Sequence, residues 1–174
     1  LHGQVGLGDI TGDRLDGEVG AYFEKKQAGF SSLDEQVSVT KRVWGVEGRV
    51  AMGENSQAHV RFEDLWSDDG KAATELNADV AVAVTGNLTL TPAVKHSSKS
   101  AAGGAGTDQG KRTDAGAVLT YRWDEETSAY VVAQATVANT GSRKDNDRVG
   151  VGGAMPLTEK IGALGEVSTG TTGF

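Results

Sequence analysis

The stretch from Arg42 to Trp66 constrains this chain more than any other, because it reads as one β-hairpin with two unlike faces. Trp44, Val46, Gly48, Val50 and Met52 alternate with Val43, Gly45, Glu47, Arg49 and Ala51. After Gly53-Glu54-Asn55-Ser56, a four-residue turn, Ala58, Val60 and Phe62 alternate with His59, Arg61 and Glu63. Side chains two apart share a face of a strand. Each arm therefore has one apolar face and one that is charged or small. The second face carries Glu47, Arg49, His59, Arg61 and Glu63, with mixed signs and the density of a wetted surface.

The same pattern recurs along the chain. The first strand, Leu1 to about Asp9, places Leu1, Gly3, Val5 and Leu7 together, and Thr11-Gly12-Asp13 turns it. The second, about Arg14 to Glu24, sets Leu15, Val19, Ala21 and Phe23 against Asp16, Glu18, Gly20, Tyr22 and Glu24. A polar connection over 25–36 leads to the hairpin, whose first strand begins as early as Val37. The fifth strand sets Leu76, Ala78, Val80, Val82 and Val84 against Asn77, Asp79, Ala81 and Ala83. Thr85-Gly86-Asn87 then makes a hairpin turn with Gly and Asn available for positive φ. The sixth strand carries Leu88, Leu90, Pro92 and Val94, and Pro92 removes one ladder donor. A Ser-, Gly- and Lys-rich loop over 96–111 follows. The seventh strand sets Ala117, Leu119, Tyr121 and Trp123 against Asp114, Gly116 and Arg122. The eighth sets Ala129, Val131, Ala133 and Ala135 against Tyr130, Val132 and Gln134. After a polar loop over 139–147, the ninth carries Val149, Val151, Gly153 and Met155, and the tenth Ile161, Ala163, Gly165 and Val167. The tail from Thr169 shows no usable pattern.

Composition says what such faces meet. Only 37% of the 174 residues are hydrophobic and 6% aromatic, against 25 glycines. That is lean for a thick core, yet the ordered alternation is unlike a disordered chain. A thin apolar face on every strand suits a single sheet that meets something apolar on one side. The formal net charge of −7 argues against nucleic acid as a partner, since phosphate binding needs a basic patch. With no cysteine, the chain has no disulfide, zinc-thiolate site or thiol catalysis. No run approaches 18 apolar residues, so a transmembrane helix is not expected.

Ten strands of roughly 9 to 12 residues with no helix between them have the length needed to cross a bilayer at a tilt. The connections alternate, short at 10–13, 53–56, 85–87, 124–128 and 156–160, long at 25–36, 67–74, 96–111 and 139–147. On these faces, turns and loops the chain resembles the bacterial outer-membrane β-barrel class. The resemblance implies an all-β, antiparallel up-and-down meander of about ten strands in one domain over 1–174, forming a transmembrane β-barrel or part of one. It implies lipid outside and a polar lumen inside, in the outer membrane of a bacterial cell. Trp44, Val46, Val50, Leu76, Val80, Val82, Leu119, Tyr121 and Trp123 are then the lipid-facing candidates. The lumen-facing charged candidates are Glu18, Glu47, Arg49, His59, Arg61, Glu63, Asp79, Asp114 and Arg122, with Asp16, Glu24, Lys95, Arg148 and Glu166 beside them. Tyr121 and Trp123 at a short-turn end, and Trp66 and Phe23 at long-loop ends, suit interfacial aromatic girdles. Both termini fall at the long-loop end, so further strands of this or another chain are expected to close the barrel. The final Phe174 lacks the alternating strand that a C-terminal barrel signal needs.

Catalytic and ligand constellations are scarce. The charged set fits either a solute-selecting pore wall or an interior filled with ion pairs. His59 and Glu63 lie two face positions apart, roughly 13 Å along a strand, and do not touch. His2, His59 and His96 lack metal-ligand spacing. Asp145-Asn146-Asp147 and Asp68-Asp69-Gly70 lack the rest of a calcium loop. Gly150-Val151-Gly152-Gly153 and Gly103-Gly104-Ala105-Gly106 precede no helix and are not phosphate loops. The expectation is a non-enzymatic pore, anchor or surface-loop scaffold without a cofactor. The rival is a secreted or cell-surface structural β-protein that self-assembles through its apolar strand faces.

Overall fold

A computed structural model describes every residue except 13, 30–37, 54, 102–107, 159–160 and 172–174. The chain forms one ten-stranded antiparallel sheet in strict sequence order. Its strands are β1 (His2–Gly6), β2 (Gly17–Lys26), β3 (Lys41–Ala51), β4 (Ser56–Ser67), β5 (Ala72–Ala83), β6 (Leu88–Ser100), β7 (Gly110–Arg122), β8 (Ser128–Asn139), β9 (Asp147–Thr158) and β10 (Ile161–Thr171). The expected all-β meander is what the chain adopts. A closed barrel is not, because β1 and β10 share no contact and each keeps one unpaired edge.

Several boundaries differ from the sequence reading. The first strand ends at Gly6, and Leu7–Thr11 forms one helical turn, α1. Gly12 ends it in the left-handed region at φ 63°, its N–H bonded to the Gly8 carbonyl. Alternation at Leu1, Val5 and Leu7 hid this turn, because so short a helix leaves no period of its own. β6 and β7 run well into the expected 96–111 loop, since Lys95↔Asp114, His96↔Thr113 and Ser97↔Arg112 continue the ladder in polar residues. β10 likewise takes in Thr169–Thr171, paired with Asp147–Val149. The start at Val37, the glycines of 103–106 and Phe174 lie outside the described residues.

The alternation of connections is looser than expected. The 68–71 turn is as tight as those at 52–55 and 84–87, and the 7–16 connection at the short-turn end contains α1. Gly70, at φ 79°, makes the first of these possible. Gly86 does not adopt positive φ. The 84–87 turn instead rests on the Thr85 hydroxyl, which accepts the N–H groups of Asn87 at 3.4 Å and Leu88 at 3.2 Å. The β5–β6 ladder is interrupted between Asp79↔Ala93 and Val82↔Leu90, where Pro92 has no N–H to give.

Register sorts the side chains into two faces. One row across the first runs Ala21, Val46, Phe62, Leu76, His96 and Thr113. The next row toward the long loops runs Phe23, Trp44, Asp64, Thr74, Ser98 and Lys111. On this face of the strands Lys25, Arg42, Asp64, Lys111 and Asp147 all fall at the long-loop end. From there to the short turns the strands present no charge on this side. Its large side chains stand exposed, among them Trp44, Val46, Val60, Leu76, Val82, Leu119, Tyr121 and Val151. Among the described residues no second layer of the chain covers them.

The opposite face is the better buried one. Asp114 is 2% exposed and Arg112 6%, and Gly20, Gly45 and Gly150 are buried as well. A single layer buries side chains on one side only where it is concave there or where loops lie across it. The interior of this molecule is therefore its polar side.

Candidate functional site: the polar concave face

Pairing across strands and along them brings the charged residues of this face together two by two. Glu18 on β2 meets Arg49 on β3 at 3.5 Å. His59 on β4 meets Asp79 on β5, with Nδ1 3.2 Å from Oδ1. Arg61 and Glu63 pair along β4 at 2.9 Å, and Lys95 on β6 reaches Glu75 on β5 at 2.8 Å. Arg112 and Asp114 pair along β7 at 3.0 Å, and Thr136 donates its hydroxyl to Asp114 at 2.7 Å. Arg148 on β9 pairs with Glu166 on β10. Register joins four of these pairs from 18 to 31 residues apart in sequence, and the period of two joins Arg61 to Glu63 and Arg112 to Asp114 along one strand.

Register divides the candidates from sequence between the two sides of the sheet. Glu18, Glu47, Arg49, His59, Arg61, Glu63, Asp79 and Asp114 share the concave face. Among the described residues Glu47 makes no ion pair. Arg122 stands exposed at the short-turn end, opposite Ser128. Trp44, Val46, Val50, Leu76, Val80, Val82, Leu119 and Tyr121 lie on the other face, with Trp123 just beyond β7. Val50 and Val80 are only half-exposed there.

Two tyrosines belong to the polar site that sequence reasoning did not single out. Tyr22 lies over Gly45, its cross-strand partner, so closely that a Cβ on Gly45 would come 2.5 Å from the ring. Its hydroxyl bonds Glu63 one strand further on and accepts from Arg61 Nη2 at 3.2 Å. Tyr130 repeats the arrangement over Gly152 and donates to Glu166 Oε2 at 2.7 Å. In each case the ring covers a glycine that would leave a hole, and the hydroxyl ties three strands together. Alternation already put both tyrosines on this face. The glycine opposite each was the missing signal.

At mid-sheet, Ala93 and Gly116 leave room among larger neighbours. A cavity of about 240 Å³ opens there, edged by Asn77, Asp79, Lys95, Asp114 and Gln134. Its rim mixes carboxylate, ammonium and amide, while Ala78, Ala93, Ala117, Val118 and Val132 make most of its lining apolar. At the long-loop end Arg143, Lys144 and Asn146 fold back onto this face, and Arg143 Nη2 donates to Ser97 on β6 at 3.2 Å.

Comparison with protein-family models, curated proteins and solved structures finds no match to this chain.

The turn carboxylates are spent on structure. Lys71, at 2.8 Å, together with Ser67 brings Asp69 down to about 2. Asp68 faces Arg42 at 3.8 Å, Asp145 accepts from Asn139 at 2.6 Å, and Asp147 accepts the Thr136 N–H at 2.8 Å. Among the described residues no group of three potential metal ligands occurs. His59 is bound to Asp79, not Glu63, and among the described residues no hydroxyl bonds it.

Proposed function

We propose that this chain is the bilayer-spanning part of an outer-membrane β-barrel, with its apolar face on lipid and its polar face on a water-filled lumen. Of the roles open to such a wall, a pore suits it best. One observation carries this: the uncovered apolar face has an uncharged belt of the right height, bounded by aromatic residues at both ends. From Thr113 to Trp123 the belt spans ten residue steps. That is roughly 34 Å along the strand, or about 26 Å once tilted by about 40°, against the roughly 25 Å apolar band of such barrels. Trp44, Trp66, Asp64 and Arg42 stand at one limit, where Trp44 donates to Asp64 at 3.0 Å and Arg42 stacks 4.8 Å over Trp66. Tyr121 and Trp123 stand at the other, with ring centroids 4.9 Å apart.

The paired charges on the concave side support the same role, since a lumen wall needs its buried charges compensated. In a bilayer the edges of β1 and β10 must be paired, with each other or with further strands, because backbone groups facing hydrocarbon cost several kcal/mol each, on the order of a lost hydrogen bond in an apolar medium.

The test is insertion. The protein should be recovered from membranes only with detergent and should migrate differently on gels before and after heating. Val80→Arg, at mid-belt, should cost about 2–4 kcal/mol and abolish the unheated band. Asp79→Ala should keep that band. Normal insertion of V80R, or recovery of the wild type in water without detergent, would remove lipid from the apolar face and favour assembly between copies of the sheet.

A further inference from the structure

The 140–146 connection does not stand away from the sheet. Arg143 is 7% exposed, although it sits in a loop. Its Nη2 atom donates to Ser97 Oγ at 3.2 Å, two strands from the loop's own root in the row Ser97–Arg112–Asn139. That is a reach of roughly 10 Å across the polar face. The loop backbone follows it inward. Arg112 Nη1 donates to the Lys144 carbonyl at 3.1 Å, and Gln134 Nε2 to the Asn146 carbonyl at 2.9 Å. Gln109 and Ser142 exchange bonds at 2.9 and 2.7 Å, tying the loop to the start of β7.

The charges at this end do not balance. Arg112 is spent on Asp114 and the Lys144 carbonyl. Asp108 serves both Lys99, at 2.7 Å, and Arg143, whose Nε lies 3.1 Å away. Burial pushes the Asp108 carboxyl up, but Lys99, Arg143 and Arg112 together outweigh it and hold the group below its ordinary range. Three cations, Lys99, Arg112 and Arg143, thus face two carboxylates. Among the described residues neither Nε nor Nη1 of Arg143, both buried, has a hydrogen-bond acceptor, although Nε lies within ion-pair distance of Asp108. A buried guanidinium N–H left idle is costly and uncommon. The Arg143 side chain is 3% exposed, so an anion in the mouth meets its charge across intervening water and not by direct contact.

We propose that residues 140–146 form a strap narrowing the long-loop mouth of the lumen, and that Arg143 holds there the positive charge that small inorganic anions meet on entry. This rests on the pore role above. The probe is chloride, tested on the full protein in planar bilayers under a potassium chloride gradient. The wild type should pass chloride in preference to potassium. Arg143→Gln should lower the chloride-to-potassium permeability ratio about threefold, the weight of one unit charge acting across roughly 6 Å of water. Arg143→Lys should retain most of the preference, and heat-modifiable gel migration should show that both variants are folded.

A neutral or cation-preferring wild type would overturn the assignment without any variant. So would an unchanged ratio in folded R143Q. Folded, inserted protein with no conductance would overturn the pore role itself, and the strap's function with it.

Discussion

At the scale of single residues, the same kind of contact carries very different weight in different places. Arg112 and Asp114 have side chains 7% and 2% exposed, whereas those of Arg49 and Glu18 are 53% and 43% exposed. Asp114→Ala leaves a buried guanidinium without its partner and should cost about 3–5 kcal/mol. Glu18→Gln should cost no more than about 1 kcal/mol. Denaturant midpoints of the detergent-solubilised protein check both, and equal effects would contradict the burial of Asp114. Gly45 is the second place where one residue decides. Gly45→Ala pushes the Tyr22 ring off its seat and should cost about 1–2 kcal/mol. In the Tyr22→Ala background the same change should be nearly free, since the ring it displaces is gone. Additive costs in that double-mutant cycle would mean the ring and the glycine are not coupled.

At the scale of strands and turns, pH has a defined place to act. Asp124 accepts the N–H groups of Glu126 at 2.9 Å and Thr127 at 2.6 Å, and these bonds hold its carboxyl below the ordinary range. A depressed folded value means stability that is present above the unfolded carboxylate range, near 4, and lost as pH falls through the folded value. The 123–127 turn should therefore be tightest above about pH 5. The stability difference between wild type and Asp124→Ala, measured by denaturation at a series of pH values, should be constant there and close as acid is added. A gap that persists below pH 3 would show that the carboxylate charge is not what holds the turn.

Much of this scale was legible in the sequence. Period-two alternation found all ten strands and assigned Glu47, Arg49, Leu76 and Val80 to their faces, because one side of every strand must differ from the other. Strand ends were less legible. His96 to Ser100 and Gly110 to Arg112 are polar on both sides, so nothing distinguishes them from a loop until the partner strand is known. The partners within the site were hidden for the same reason. His59 reads as a neighbour of Glu63 in sequence, but register gives it Asp79. Arg143 carries no strand pattern at all, and only the folded loop shows where its guanidinium goes.

At the scale of the whole molecule, the three tryptophans make a built-in probe. Trp44 and Trp66 lie on the apolar face near the long loops, and Trp123 lies just beyond β7 at the opposite end. They are the only tryptophans in the chain. On reconstitution into vesicles of brominated lipid, fluorescence should fall strongly for all three. Bromine close to the headgroups should quench better than bromine at the chain ends, because the rings mark the two borders of the belt. Emission unchanged by bromine at any depth would place the tryptophans in water.

The outer side of β10 has a consequence beyond any one bilayer. Leu164 is 88% exposed and Val167 77%, and among the described residues of β10 no lysine, proline or covering helix guards the unpaired amides. A border of this kind is a template that accepts whatever extended backbone arrives first. Synthesised in water, with nothing yet seated there, the chain should keep recruiting its own kind and grow into ribbons with the 4.7–4.8 Å repeat of stacked strands, roughly as in other exposed sheets. Timing of delivery to its final surroundings, more than thermodynamic strength, would then set how much of it survives as single molecules.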